Sequence, residues 1–245
     1  MIPKIIHYCW FGNGEMPELV LKCLESWKKY LPEYEIRRWS EENFGINGYR
    51  FATEAYKERK FAFVADVCRL HALKQMGGVY LDTDVEFLRP LDDTILNNKA
   101  FTGFEDNLLL SSAIMGSEKN GQWINDLLSY YEDKSFYLKD GSLDVNPNTE
   151  IITAFMKDKK EVVINNTFQK LEDYCTIYPS DYFCPKSWKT LKINTSPNTY
   201  CIHHFAGSWI HKEFSLIGKI ANILLGKRTA EFLSERYRKI RAKIT

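Results

Sequence analysis

The feature that most constrains the fold is an alternation of short apolar runs and helically spaced segments over the first 84 residues. Ile5-Ile6-His7-Tyr8-Cys9-Trp10 reads as a buried strand stopped by Phe11-Gly12-Asn13-Gly14. Beyond Pro17, which suits a first helical turn, Val20, Cys23, Leu24, Trp27 and Leu31 recur at helical spacing until Pro32 ends the helix. Glu35-Ile-Arg-Arg-Trp39 is a second strand, and Ser40-Glu-Glu-Asn43 has the form of a capped helix start. A long helix is expected from about Glu54 to Met76, closed by Gly77-Gly78, and Val79-Tyr-Leu is the next strand, running into Asp82-Thr-Asp84. This β-α-β-α-β order predicts an α/β fold with a mainly parallel sheet, whose ligands lie beyond the carboxyl ends of the strands. Later strands are expected near 100–104 and 113–115, with helices near 122–131 and 149–156.

Bulk properties narrow the function classes. A formal charge of +1 gives no reason to expect a nucleic-acid partner. The charge is uneven, because residues 212–245 carry nine Lys and Arg against three Glu, so the preceding residues are net acidic. A catalytic domain over 1–211 and a basic amphipathic helical tail over 212–245 are the expected divisions. In the tail Leu216, Ile217, Ile220, Ile223 and Leu224, then Leu233, Tyr237, Ile240 and Ile244, fall at helical spacing. Such a helix suits either an anionic membrane surface or a cap on the domain core. The six cysteines form no C-x-x-C pair, the start lacks the pattern of a signal peptide, and no run of about 18 apolar residues occurs. Cytoplasmic residence, peripheral to the inner face of the membrane if the tail binds lipid, is therefore the expectation.

The chemistry concentrates at Asp82 and Asp84. Residues two apart on an extended segment face the same side, so both carboxylates can address one hard cation, Mg²⁺ or Mn²⁺. Such an ion can bridge a diphosphate and stabilise a departing nucleoside diphosphate. On the preceding helix Asp66 and Arg69 share a face. A carboxylate beside a guanidinium can grip sugar hydroxyls and phosphate oxygens, although the same pair would also serve as a surface ion pair of little energetic weight.

Four segments together, Ile2-Pro-Lys-Ile-Ile-His7-x-x-Trp10, Ala65-Asp66-x-x-Arg69, Gly77-Gly78-Val-Tyr80-Leu-Asp82-Thr-Asp84 and His203-His204-x-x-Gly207-Ser208-Trp209, resemble the DXD sugar-binding glycosyltransferases. That family includes bacterial capsular polysaccharide transferases and yeast initiating mannosyltransferases, and is similar to the catalytic core of the large clostridial glucosylating toxins. The resemblance implies a GT-A fold with a nucleotide-binding half, a variable acceptor half and C-terminal helices. It also implies hexose transfer, with retention of configuration, from a nucleotide-sugar such as a UDP-hexose to a glycan or glycolipid acceptor in surface polysaccharide synthesis. By the same resemblance Trp10 stacks on the base, Asp66 and Arg69 contact the donor sugar, and Asp82 meets the ribose and a metal-bound water. Asp84 ligates the metal, and Ser208 and Trp209 approach the diphosphate. A histidine often completes such metal sites, and the spacing His204-x-x-Gly207 resembles that of related retaining galactosyltransferases, which selects His204 over His203.

Individual residues also admit plainer readings. Trp10 and Trp209 would serve equally as core aromatics, His7 reads as a satisfied core histidine, and Tyr80 as structural. Glu105, Asp106 and Asn107 follow a strand and read either as a lining of the acceptor side or, more simply, as a solvated turn. Asn146 stands where the family has a Gly before Pro147, which weakens any role for Asn148. Two other function classes share parts of the pattern. An apolar strand followed by Asp-x-Asp also opens the haloacid-dehalogenase-type phosphohydrolases, where Asp82 would be the nucleophile, but there the motif lies on the first strand. A non-catalytic carbohydrate-binding protein could keep the sugar grip, though it has no need of both Asp82 and Asp84.

Overall fold

The computed structural model describes residues 1–106 and 108–206. In chain order the elements are β1 (Ile5–Cys9), α1 (Glu18–Tyr30), β2 (Glu35–Trp39), α2 (Arg50–Lys57), α3 (Phe61–Met76), β3 (Gly78–Leu81), β4 (Val85–Phe87), α4 (Asp93–Leu96), β5 (Ala100–Glu105), β6 (Leu109–Leu110), β7 (Ile114–Ser117), α5 (Gln122–Ser129), α6 (Asn148–Lys160), β8 (Gln169–Leu171), β9 (Cys175–Tyr178), α7 (Ser180–Phe183) and β10 (Cys201–His203). The main sheet runs β2-β1-β3-β7-β5-β9-β8, with β6 on β5, and β10 pairs with β4 in a separate two-stranded ribbon. The pairs β1–β2 and β1–β3 are parallel, as the βαβ pattern requires, and antiparallel pairing begins where β7 joins β3. The chain is thus an α/β domain with a parallel N-terminal half and a mixed remainder.

The packing explains the strand sequences. β3 is buried at all four residues and β1 at four of its five, so both read as continuous apolar runs. Trp27 of α1 is fully buried against Tyr8 and donates its Nε1–H to the Val85 carbonyl at 2.7 Å, tying α1 to β4. All six cysteines are free and buried, and serve as small core side chains.

Two local expectations change. The helix expected over 54–76 is broken between α2 and α3. Arg59 takes a positive φ of 55°, while its N–H bonds to Tyr56 O and that of Lys60 to Ala55 O, a Schellman end with arginine where glycine is usual. Ser40 does form a reciprocal cap, with its N–H on Asn43 Oδ1 at 2.9 Å and the Phe44 N–H on its own carbonyl. The turn is not continued, and a short 3₁₀ segment, Ile46–Gly48, follows Gly45. Gly78 joins α3 to β3 at φ +107°, where a Cβ would lie 2.5 Å from Ile5 O, so both conformation and close approach require glycine. Ser208, Trp209 and the expected tail over 212–245 lie outside the described residues, as does Asn107. Among the described residues no helix is long and apolar enough to cross a membrane.

His7 sits in β1 with no exposure. Its Nδ1 accepts from Trp39 Nε1 at 3.1 Å and its Nε2 lies 2.7 Å from Gly77 O, which fixes a neutral ring protonated at Nε2. Burial pushes its pKa down to about 4, partly opposed by the bond to Gly77. The unfolded histidine, near 6.5, binds a proton that the native one refuses, so this contribution is complete above about pH 6.5 and disappears as pH falls toward 4. The loss should reach about 3 kcal/mol at its limit. Urea unfolding at pH 7 and pH 4.5 should show a clearly smaller drop in His7→Gln, whose amide can replace both hydrogen bonds without titrating. Equal drops in the two proteins would exclude this role.

Candidate active site

The carboxyl ends of β1 and β3 lie side by side, and the chain that leaves each carries a candidate residue. After β1, the Trp10 backbone N–H bonds to Trp39 O at 2.8 Å and its ring Nε1 donates to Gly14 O at 2.8 Å. The half-buried indole borders a cavity of about 540 Å³ lined also by Asn13, Gly14, Met16, Arg38 and Ser40. Trp10 therefore packs against the core on one side and lines a cleft at the strand end on the other.

After β3, Asp82 still pairs through its N–H with Ala113 O at 2.8 Å, and the Val85 N–H then returns to Asp82 O at 3.1 Å. The Asp-x-Asp segment is thus a tight turn between β3 and β4, not the extended stretch expected from the sequence. Its two carboxylates converge even so: oxygens of Asp82 and Asp84 and a ring nitrogen of His203 all lie within 4.8 Å of one another.

α3 delivers the second pair. The Arg69 guanidinium donates to Asp66 Oδ1 at 2.8 Å and to the Ser112 carbonyl at 2.6 Å, and stands 3.4 Å from Asp82 Oδ1. It also lies over the Tyr80 ring at 4.6 Å, and Tyr80 Oη donates to Asp82 Oδ1 at 2.9 Å. Asp66 and Arg69 are both buried, which removes the surface ion-pair reading. Burial pushes the Asp66 carboxyl up to about 6, with Arg69 pulling it down and Asp82 pushing it up. Tyr80 therefore has a polar role beyond structure, because it holds Asp82 in place. Asn148 begins α6, adjoins Asp66 and accepts from Tyr131 Oη at 3.4 Å, so this position reaches the site although its loop departs from the family pattern.

The histidine expectation is corrected. In the β4–β10 ribbon Ile202 stands opposite Glu86 and His203 opposite Val85. Because side chains alternate along a strand, His204 lies on the Glu86 face, where its Nε2 is 2.7 Å from Glu86 Oε2. Its N–H continues the ladder to Asp84 O, so His204 supplies backbone rather than a ligand to this cluster. His203 faces the opposite way, with Nε2 3.4 Å from Asp84 Oδ1. Burial works against charge on His203, but the Asp84 carboxylate outweighs it and raises its pKa well above the usual range. Glu105, read from the sequence as part of a solvated turn, and Cys184, read as a small core side chain, are instead both buried beside His203.

The donor set suits a divalent cation. Two carboxylates and one imidazole within reach of a single ion match Mn²⁺ better than Mg²⁺, since nitrogen is a poor partner for Mg²⁺. Asp82 stands beside Arg69, and carboxylate oxygens of Asp82 and Asp84 lie within 4.8 Å of each other, a repulsion that a cation would relieve.

Residues 17–102 match the family described as the glycosyltransferase sugar-binding region containing DXD motif. The chain is 34% identical over 122 residues to inositol phosphoceramide mannosyltransferase 3 of Schizosaccharomyces pombe, which covers 48% of this chain and 34% of that protein. It is 25% identical over 224 residues to an uncharacterized glycosyltransferase of Acanthamoeba polyphaga mimivirus, 85% of this chain and 84% of that one. The chain therefore spans about a third of the length of the yeast relative and most of the viral one. Among solved structures it is similar to the PaToxG glycosyltransferase, with a TM-score of 0.49 and 17% identity over 66% of this chain and 70% of the other.

Proposed function

We propose that this chain, whose residues 17–102 match the glycosyltransferase sugar-binding region containing DXD motif, moves a hexose from a UDP-hexose donor to a glycan or glycolipid acceptor, with retention of configuration and with Mn²⁺ held by Asp82, Asp84 and His203. The observation that carries this reading is the meeting of the Asp82–Asp84–His203 cluster with the buried Asp66–Arg69 pair through Asp82, after β3, with Trp10 following the neighbouring parallel strand β1. Each part corresponds to a chemical part of the donor. The indole offers a flat apolar face to a base, Asp66 accepts from sugar hydroxyls, and Arg69 keeps a fixed positive charge beside Asp82. The cation, when bound, would neutralise the charge that grows on the departing diphosphate. Tyr80 and Ser112 hold Asp82 and Arg69 by hydrogen bonds, so the donor meets groups already in position. Among the described residues no carboxylate stands apart as a nucleophile, which favours attack by the acceptor hydroxyl from the face of the leaving group.

Release of nucleoside diphosphate from a panel of nucleotide-sugars with Mn²⁺ tests the reading. A UDP-hexose should turn over only with the metal, and the product anomer, read by NMR, should match the donor. Phosphate release from simple phosphomonoesters would favour the phosphohydrolase with Asp82 as nucleophile, and sugar binding without turnover would favour a lectin-like protein. Trp10→Ala should weaken UDP binding by about 5–150-fold, the worth of about 1–3 kcal/mol of base stacking. Calorimetry showing unchanged UDP affinity would remove Trp10 from the base site.

A membrane-bound acceptor would fit the basic composition of residues 212–245. In that arrangement the chain works at the inner face of a membrane. Liposome co-sedimentation should then depend on anionic lipid and on residues after Gly226. Indifference to both would leave the core-cap reading of the tail.

A further inference from the structure

His203 turns one ring nitrogen toward the proposed metal position and keeps the other inside the protein. Nδ1 is buried with no nitrogen or oxygen partner within hydrogen-bond distance among the described residues, the Cys184 thiol lying against the ring, and 3.9 Å away stands Glu105 Oε2, also buried and also without a hydrogen bond. A buried polar atom left unpaired costs about 1–3 kcal/mol. Two of them facing each other, just beyond bonding distance, form a pair that a small rotation of the imidazole would close. The fold puts Glu105 there because it is the last residue of β5, and the separate β4–β10 ribbon brings His203, the last residue of β10, against that strand end. Histidines that ligate a metal commonly donate their second N–H to a carboxylate, which fixes the tautomer and aims the free lone pair.

We propose that Glu105 is the positioning residue of the metal centre: its carboxylate accepts the Nδ1–H of His203, so that Nε2 presents its lone pair to the cation held with Asp82 and Asp84. The inference rests on the metal reading given under Proposed function and adds to it a residue outside the ligand set. It also explains why a carboxylate lies buried at the end of β5, where an apolar side chain would pack at lower cost. The Cys184 thiol lies against the same ring and is the rival partner. A thiol is a weak acceptor, so Glu105 is the stronger partner for an N–H.

Binding of Mn²⁺ alone to the full chain, followed through the EPR signal of the free ion, separates the possibilities without recourse to activity. Glu105→Leu should raise the Mn²⁺ Kd by about 10–100-fold, the usual effect of losing such a partner. Its metal-free melting temperature should change little, because a buried carboxylate with one oxygen left without a hydrogen bond is replaced by an apolar side chain. Glu105→Gln keeps an acceptor oxygen and should retain most of the affinity, and Cys184→Ser should bind as wild type does. If Asp84→Ala abolishes binding while Glu105→Leu binds normally, the positioning role is wrong and the metal site stands. If Asp84→Ala also binds normally, the metal reading fails and the inference fails with it. Equal losses of affinity and of metal-free stability in both Glu105 variants would make the residue structural and overturn the proposal, as would a second, Glu105-dependent cation per chain.

Discussion

Asp84→Asn should lower sugar transfer by about a hundredfold to a thousandfold at saturating donor, with little change in the circular dichroism spectrum or the melting temperature. The substitution conserves volume but removes one of the two carboxylate charges that face the cation, and electrostatic contributions of this type are worth several kcal/mol in the transition state. Asp84 is buried with His203 Nε2 at 3.4 Å, so there is little room for water to replace the lost charge. Asp82→Asn should be milder in metal affinity yet still impaired. Its carboxylate is more exposed and is also bound to Tyr80 and Arg69, and an amide can keep part of that network. Transfer within a few-fold of wild type in Asp84→Asn, measured as nucleoside diphosphate release across Mn²⁺ concentrations, would remove Asp84 from the metal site.

Arg69→Ala should destabilise the folded protein by about 3–5 kcal/mol and abolish transfer even below its melting temperature. The sequence pattern alone suggests a donor-gripping residue whose replacement leaves the fold intact, but the structure gives Arg69 a second duty. Its guanidinium satisfies the buried Ser112 carbonyl, pairs with Asp66 and Asp82 and covers the Tyr80 ring, so removing it leaves the buried Asp66 carboxylate without its countercharge and beside the partly exposed Asp82. Arg69→Lys keeps the charge without the planar fork and cannot serve all these partners together. It should lose part of the stability and most of the activity. Asp66→Asn removes a carboxylate that burial already holds near a pKa of about 6. It should therefore unfold close to wild type while donor KM rises, and guanidinium unfolding paired with donor kinetics reads the two effects apart. Wild-type stability in Arg69→Ala would contradict the buried network.

The parts of this protein that follow from neighbours in the chain are visible in its sequence. The apolar runs of β1 and β3, the helical spacing of α1 and the i, i+3 placement of Asp66 and Arg69 depend on backbone periods of two and 3.6 residues. Together with the strand-end position of Asp82 and Asp84, these predict an α/β domain and the edge of the sheet where chemistry belongs. Other features depend on partners far along the chain. The break at Arg59 carries no glycine to announce it, because the end of α2 is held by its own backbone hydrogen bonds. The choice between His203 and His204 turns on a one-residue register: β10 pairs with β4 so that Ile202 meets Glu86, which sends His204 to Glu86 and His203 to Asp84. A shift of one residue would reverse them, and nothing local to His203-His204 specifies that register. Glu105 is equally silent in the sequence, since an acidic residue at a strand end is ordinarily solvated. Only the approach of β5 to β10 buries it beside a histidine, because alternation along a strand is local whereas the face a side chain meets is decided by the strand that pairs with it.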